Sequence, residues 1–216
     1  MESRRAGATM KITGRRKTGL GLIAGLVAAC ALAVTASPAL ALSNGGFETG
    51  NTKDWKRSSL GNGFWRVYSG PGEMLPPPPQ GTYAAQAFQS GPSSNVLHRT
   101  LRLKKGVKHV LKMKVYYRNN AERFYTPASL SHTGAANQQY RIDLIKPKAK
   151  LRTMKPGKIL TNIFRTKVGD RRVMRPKLVK KNISRFNGRK VRLRIAEVDN
   201  RGNFAAGVDA VKLVKR

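Results

Sequence analysis

The chain is poor in acidic, histidine and cysteine residues, and each shortage removes a class of chemistry. Ten Asp and Glu stand against 43 Lys and Arg. Only Glu122, Asp143 and Glu197 stand out as carboxylates for a hydrolytic pair, and Arg123, Arg141 and Arg194 lie near them as salt-bridge partners. His98, His109 and His132 have no metal-ligand spacing. The single cysteine, Cys30, falls in an apolar run near the N-terminus. Beyond that run there is no disulfide, no thiolate metal site and no cysteine nucleophile. The glycines of "NGGFETG" (44–50) lead into no helix, and no Gly-Lys-Ser/Thr is present, which argues against a phosphate-binding loop. A nucleophile elbow and a long amphipathic helix are also missing.

What is present begins with an export signal. Arg4, Arg5, Lys11, Arg15, Arg16 and Lys17 precede an apolar run from Leu20 to Val34, and Ala39-Leu40-Ala41 is a small-x-small cleavage site. Residues 1–41 are expected to be removed and 42–216 to form one secreted domain. The run is nearly long enough to stay as an anchor. Val27-Ala28-Ala29-Cys30 resembles a lipoprotein box, though the residues after Cys30 stay apolar. Arg15-Arg16 raises twin-arginine export, but Lys17 and Thr18 replace the usual apolar pair. Six of the 43 cations and one of the ten acids lie before Ala41. The 175 residues that follow therefore carry 37 and nine, a net charge of +28, enough residues for one sizeable core.

Period-two alternation runs through that domain. In 110–117 Leu111, Met113, Val115 and Tyr117 oppose Lys112, Lys114 and Tyr116; in 140–145 Tyr140, Ile142 and Leu144 oppose Arg141 and Asp143; in 190–198 Val191, Leu193 and Ile195 oppose Arg192 and Arg194. Shorter strands are expected over 64–68, 82–88, 95–103, 159–166, 177–183 and 206–214. Turn-rich stretches separate them, among them 70–81 with its Pro76–Pro79 run, read as a spacer, and 89–95. Residues 184–186 read as a single helical turn. The pattern predicts an all-β, two-sheet antiparallel sandwich.

"NGGFETG" with Trp55, "PPQGTYAA" (78–85), "SNVLHRTLRLKKGVKHVLKMKVYYR" (94–118) and "VRLRIAEVDNRGNFAAGVDAVKL" (191–213) occur in an order that resembles the galactose-binding-like jelly rolls. That group includes many non-catalytic carbohydrate-binding modules of bacterial extracellular proteins. The resemblance covers 44–214. It implies a jelly roll of about eight strands with the first and last side by side. It also implies a structural Ca2+ held there by Glu48 and Asp209 together with backbone carbonyls. Here Asp209-Ala210-Val211 stands where the group has Asp-Asp-Val, so one closing acid is absent. The composition agrees to this extent: two of only nine acids lie in glycine- and asparagine-rich segments at opposite ends of the domain, and Ca2+ takes oxygen ligands. Pairing of each acid with a nearby cation is the competing reading.

Candidate ligand-binding residues fall into two sets. If strands 110–117, 140–145 and 190–198 share a sheet, Arg141, Arg192 and Arg194 line one polar face, with Tyr116 as an aromatic platform. Loop positions supply Trp65, Arg118, Asn119, Asn137 and Gln138, whose aromatic and amide groups suit sugar rings and hydroxyls. The expected function is a secreted, non-catalytic binding domain for carbohydrate or cell-envelope polymer, with acidic glycans favoured. The alternative is a cationic structural surface protein that holds anionic wall polymers or extracellular DNA by charge alone. No specific nucleic-acid partner, no membrane contact after cleavage, and a monomer are expected.

Overall fold

The computed structural model describes residues 40–215. Residues 1–39, which hold Cys30 and nearly all of the expected leader, lie outside the described residues. Nine strands are described: β1 (Leu40–Ala41), β2 (Lys56–Ser69), β3 (Tyr83–Arg102), β4 (His109–Asn119), β5 (Gln139–Ile145), β6 (Ile159–Arg165), β7 (Val173–Asn182), β8 (Lys190–Asp199) and β9 (Phe204–Lys215). A 3-10 turn at Ser184–Phe186 is the only helical element among the described residues. The ninth strand, beyond the eight or so expected, is the two-residue β1, which pairs with Leu213 and Lys212 of β9.

All named pairings are antiparallel, and they form two faces joined by one long hairpin. The first sheet runs β6-β5-β8-β3-β2, using Ser93–Arg102 of β3 and Lys56–Gly61 of β2. The second runs β2-β3-β9-β4-β7, using Gly63–Ser69 and the first part of β3. The 89–95 stretch, expected to be a turn, is instead continuous strand within β3. Gly91-Pro92 bends it there, and the facing strand slips register between Gly61 and Gly63, so pairing persists through the corner.

The alternation read from the sequence decides what is buried between the sheets. Leu111, Met113, Val115, Tyr140, Ile142, Leu144, Val191, Leu193 and Ile195 join one core cluster with Trp65 and Phe204. The three alternating strands do not share a sheet, however: β5 and β8 are neighbours in the first, and β4 lies in the second. Lys112 and Lys114 are thereby separated from Arg141, Arg192 and Arg194.

Both outer faces carry a cover. Over the second sheet the 70–81 connection buries Leu75 against Tyr68, Ala84, Tyr116 and Ala205. The proline run is therefore a lid on the sheet rather than a spacer. Tyr68 donates to the Pro76 carbonyl and Lys114 Nζ to that of Pro79. Gly207 beneath it is obligatory, since a Cβ there would stand 2.1 Å from the Tyr116 ring. Over the first sheet the β5–β6 connection, 146–158, lies as a strap.

Candidate functional site

The outer face of the first sheet is built around buried charge. Asp143 on β5 accepts from Arg141 Nε (2.8 Å) and Nη2 (3.0 Å), and from Arg194 Nη2 (2.5 Å) on the adjoining β8. Asp143 and Arg194 are fully buried and Arg141 is nearly so. Burial works to raise the Asp143 carboxyl, but hydrogen bonding from Arg141 and the charges of Arg194 and Arg141 outweigh it and hold the group below the usual carboxylate range. Nη1 donors of the β8 arginines grip the strap. Arg194 Nη1 reaches the carbonyls of Leu151 and Thr153 (both 2.8 Å), and Arg192 Nη1 that of Ala149 (3.0 Å). Arg152 points back from the strap to Ser58 and Ser94. The expectation of an open ligand face formed by these arginines is corrected accordingly. Arg141 and Arg194 are pinned between sheet and strap, and Arg192 is half-buried.

The strap instead creates a groove along its own edges. A cavity of about 480 Å³ lies between Ala128-Ser129 and Lys150–Lys155. It adjoins one of about 290 Å³ that shares Ala128 and Met154 and reaches Arg141, Arg165 and Lys167, and one of about 300 Å³ bounded by Lys148, Lys150, Lys155 and Lys158. Every ionisable residue lining the three is a cation. Lys148, Lys150, Lys155, Lys158, Arg165 and Lys167 are exposed, while Thr126, Gln139 and Thr166 supply neutral polar groups. None of the strap lysines was among the residues expected to bind a ligand. The signal was there in "KPKAKLRTMKPGK", a wholly basic segment longer than a hairpin needs.

The loop amides have structural partners. Asn119 Oδ1 accepts from Ala121 N–H and Gln138 Nε2, and its Nδ2 donates to the Arg123 carbonyl. Gln138 also donates to the Gly202 carbonyl. Asn137 Nδ2 donates to the carbonyls of Ser129 and Ser131. All three are buried, because a long connection must satisfy its own backbone groups. Trp65 is wholly within the core, 6.4 Å from the Tyr140 ring, and offers no stacking face. Tyr116 is buried under the proline lid with its hydroxyl 2.8 Å from that of Tyr68. Of the nine expected ligand contacts, Arg118 is exposed, and Arg141 reaches the groove at its inner end.

Glu48 and Asp209 do meet. A Cβ on Gly46 would lie 3.7 Å from Glu48 Oε1 and 3.9 Å from Asp209 Oδ1. The backbones join there, Val211 N–H donating to the Gly45 carbonyl at 2.8 Å. Glu48 Oε2 accepts from Thr82 N–H (3.0 Å) and rests on Gly81, where a side chain would collide with the carboxylate. Asp209 is fully buried, and its Oδ2 has no hydrogen-bond partner. Burial pushes its pKa up to about 6 against the opposing N–H groups of Ala210 and Gln80; Glu48 adds to the rise and Lys114 offsets it. Phe47 and Ala210 sit at positive φ (61° and 51°), a conformation L-residues adopt only under local constraint. An orphaned carboxylate oxygen beside a second carboxylate fits a hard, oxygen-seeking cation. Among the described residues no third acidic, histidine or cysteine side chain joins them. Carbonyls and water would complete such a shell.

A second acidic pair went unread in the sequence. Glu197 lies at the β3 corner, wholly buried, accepting from Gln89 Nε2 (2.8 Å) and Asn95 Nδ2 (3.0 Å). Asp199 accepts from Ser93 N–H and Oγ. The expected pairing of Glu197 with Arg194 does not occur. Residues three apart on a strand point to opposite faces. Burial, then the Asp199 charge, drives Glu197 well above the usual range, and burial lifts Asp199 to about 6.

The fold has a solved counterpart. TmCBM61, determined in complex with β-1,4-galactotriose, superposes with a TM-score of 0.50 over 83% of this chain and 100% of its own, at 17% identity. The sandwich is similar in fold to a carbohydrate-binding module. Looser likenesses join it to the K1 adhesin domain of Lys-gingipain from Porphyromonas gingivalis W83 (TM-score 0.47, 15% identity, 78% of this chain and 94% of that one) and to the Stig cyclase Fisc from Fischerella sp. TAU (0.46, 16%, 83% and 98%). At such identities the likeness concerns the fold and leaves the ligand to be argued from side chains. No protein-family profile matches the sequence, and no curated protein matches it.

Proposed function

We propose that the chain is an exported, non-catalytic binding domain for carbohydrate or cell-envelope polymer, and that its ligand is an acidic glycan lying in the groove beside the strap. The observation that carries this reading is the lining of that groove: cations and neutral polar groups beside the apolar Pro127, Ala128, Ala149 and Met154, with no carboxylate. The fold it shares with TmCBM61 supports the broader class.

The test separates a groove from mere charge. Polygalacturonate binding should persist at about 0.5 M salt and fall at least ~10-fold in Lys150→Gln/Lys155→Gln/Arg165→Gln. Removing as many exposed cations from β7, at Arg175, Lys177 and Lys180, should change it less than ~3-fold. Equal losses from both triple variants, with binding to DNA and every other polyanion abolished by that salt, would establish attraction by charge alone.

Calcium at Glu48 and Asp209 belongs to the same reading. Free Ca2+ at about 100 times its Kd should stabilise the domain by about 2.7 kcal/mol. Chelation should lower the thermal midpoint, and Glu48→Ala should erase the difference. The effect should fade below about pH 6, as Asp209 takes up a proton. A midpoint indifferent to chelation rules the ion out.

A further inference from the structure

Beyond the far side of the strap, the outer face of the first sheet holds a separate pocket. It encloses about 210 Å³ and is bounded by Asp54, Lys56, His98, Arg99, Thr100 and Arg192. The strand register explains why these residues gather. Lys56 on β2 stands opposite His98 on β3, and Thr100 on β3 opposite Arg192 on β8. Cross-strand neighbours on one face lie about 5 Å apart. Three strands thus bring an ammonium, an imidazole, a hydroxyl and a guanidinium to one spot, with Arg99 on its border.

We propose that this pocket is a binding site for a small oxyanion: a sulfate, phosphate or carboxylate group. Three cations face one acid, Asp54, and none of the four takes part in an ion pair among the described residues. Their donors are only partly engaged: Arg99 reaches the Ser43 carbonyl and hydroxyl through Nη1 and Nη2, and its buried Nε has no partner among the described residues. At the centre of the sheet Arg194 and Arg152 are engaged by carbonyls, serine hydroxyls and Asp143, with only the Arg194 Nε left without a partner. Arg192 engages one carbonyl through Nη1, and its Nε has no partner. Lys56, His98 and Thr100 have no side-chain hydrogen bond among the described residues. The site stands apart from the glycan reading, since an inorganic ion can probe it.

Binding there is coupled to a proton. Burial, then Arg192 and Lys56, push His98 down to about 4. Arg99 lines the same pocket, Arg194 pairs with His98 across the strands, and Asp54 opposes them. An oxyanion offsets the cations and favours the imidazolium, so each unit by which it raises the His98 pKa is a tenfold gain in affinity at low pH.

The experiment is an NMR titration of the full chain with sodium sulfate at constant ionic strength, since sulfate keeps its charge across the range. His98 ring signals should shift saturably while those of His109 and His132 stay still, and affinity should be at least ~10-fold higher near pH 4.5 than near pH 7.5. Lys56→Gln, at an exposed position, should weaken binding several-fold without moving the thermal midpoint; Arg192→Gln should abolish it. His98→Gln should retain binding near pH 7.5 and lose the pH dependence. A linear, unsaturable drift of all three histidines, or equal affinity in the parent and Lys56→Gln, overturns the site. Equal affinity at both pH values overturns the coupling.

Discussion

Asp143→Ala should lower stability by about 3–5 kcal/mol, because it leaves two guanidinium groups buried without their shared carboxylate. For a domain of this size that is a fall in thermal midpoint on the order of 10 °C. The strap should loosen as well, since Arg194 holds both Asp143 and the Leu151 and Thr153 carbonyls. Urea titration measures the first effect. Trypsin measures the second, through faster cleavage at Lys148–Lys158. A loss under about 1 kcal/mol would mean that the arginines find water or other carbonyls at little cost. Pairing of this kind is no proof that the ions favour folding over an apolar substitute; it is the removal of one member that is costly.

Glu197→Gln should act in the opposite direction, raising stability near pH 8 and changing it much less near pH 5. The sign follows from the raised pKa. The folded state holds a proton that the unfolded chain gives up above its ordinary carboxylate pKa. Stability present below about pH 4.5 is therefore lost as pH rises toward the folded value. Asp199, raised to about 6, adds to the same trend between roughly pH 4 and 6. His98 works against it: its lowered pKa removes stability as pH falls from about 6.5 toward 4. Glutamine keeps the acceptor for Gln89, and a half-turn of the Asn95 amide would bring its unpartnered Oδ1 to the new N–H2. Thermal midpoints of parent and variant at the two pH values decide the matter. A variant no more stable than the parent at pH 8 would show that the carboxylate is better solvated at the corner than its burial indicates.

The interior was legible in the sequence and the exterior was not, for a physical reason. Alternation in β4, β5 and β8 records which side chains avoid water, and Leu111, Ile142 and Leu193 are where that pattern puts them. It says nothing of what lies against the opposite face. Arg141, Arg192 and Arg194 read as solvent-facing because a polar connection long enough to fold back over them has no period of its own. Asn119, Asn137 and Gln138 carry groups that suit a sugar hydroxyl and a loop carbonyl equally well, and proximity gave them to the carbonyls. Gly91-Pro92 carries a turn signal, yet the partner strand bends with it, and a turn became a corner. Glu48 and Asp209 stood out by the scarcity of acids. Their meeting depended on the order of motifs at both ends of the domain, which no local rule supplies.

The strap is held by its carbonyls and by a few side chains, none of them its lysines. Arg192 and Arg194 grasp carbonyls of Ala149, Leu151 and Thr153, Arg152 returns its guanidinium to Ser58 and Ser94, and Leu151 and Met154 pack against Val96, Leu130, Ala196 and Val198. Any L-residue presents the same carbonyl. Lys148, Lys150, Lys155 and Lys158 can therefore drift, singly or together, without disturbing the frame beneath them. Such a scaffold can exchange one ligand for another over generations by rewriting a few exposed positions, while the sheet that supports them stays the same.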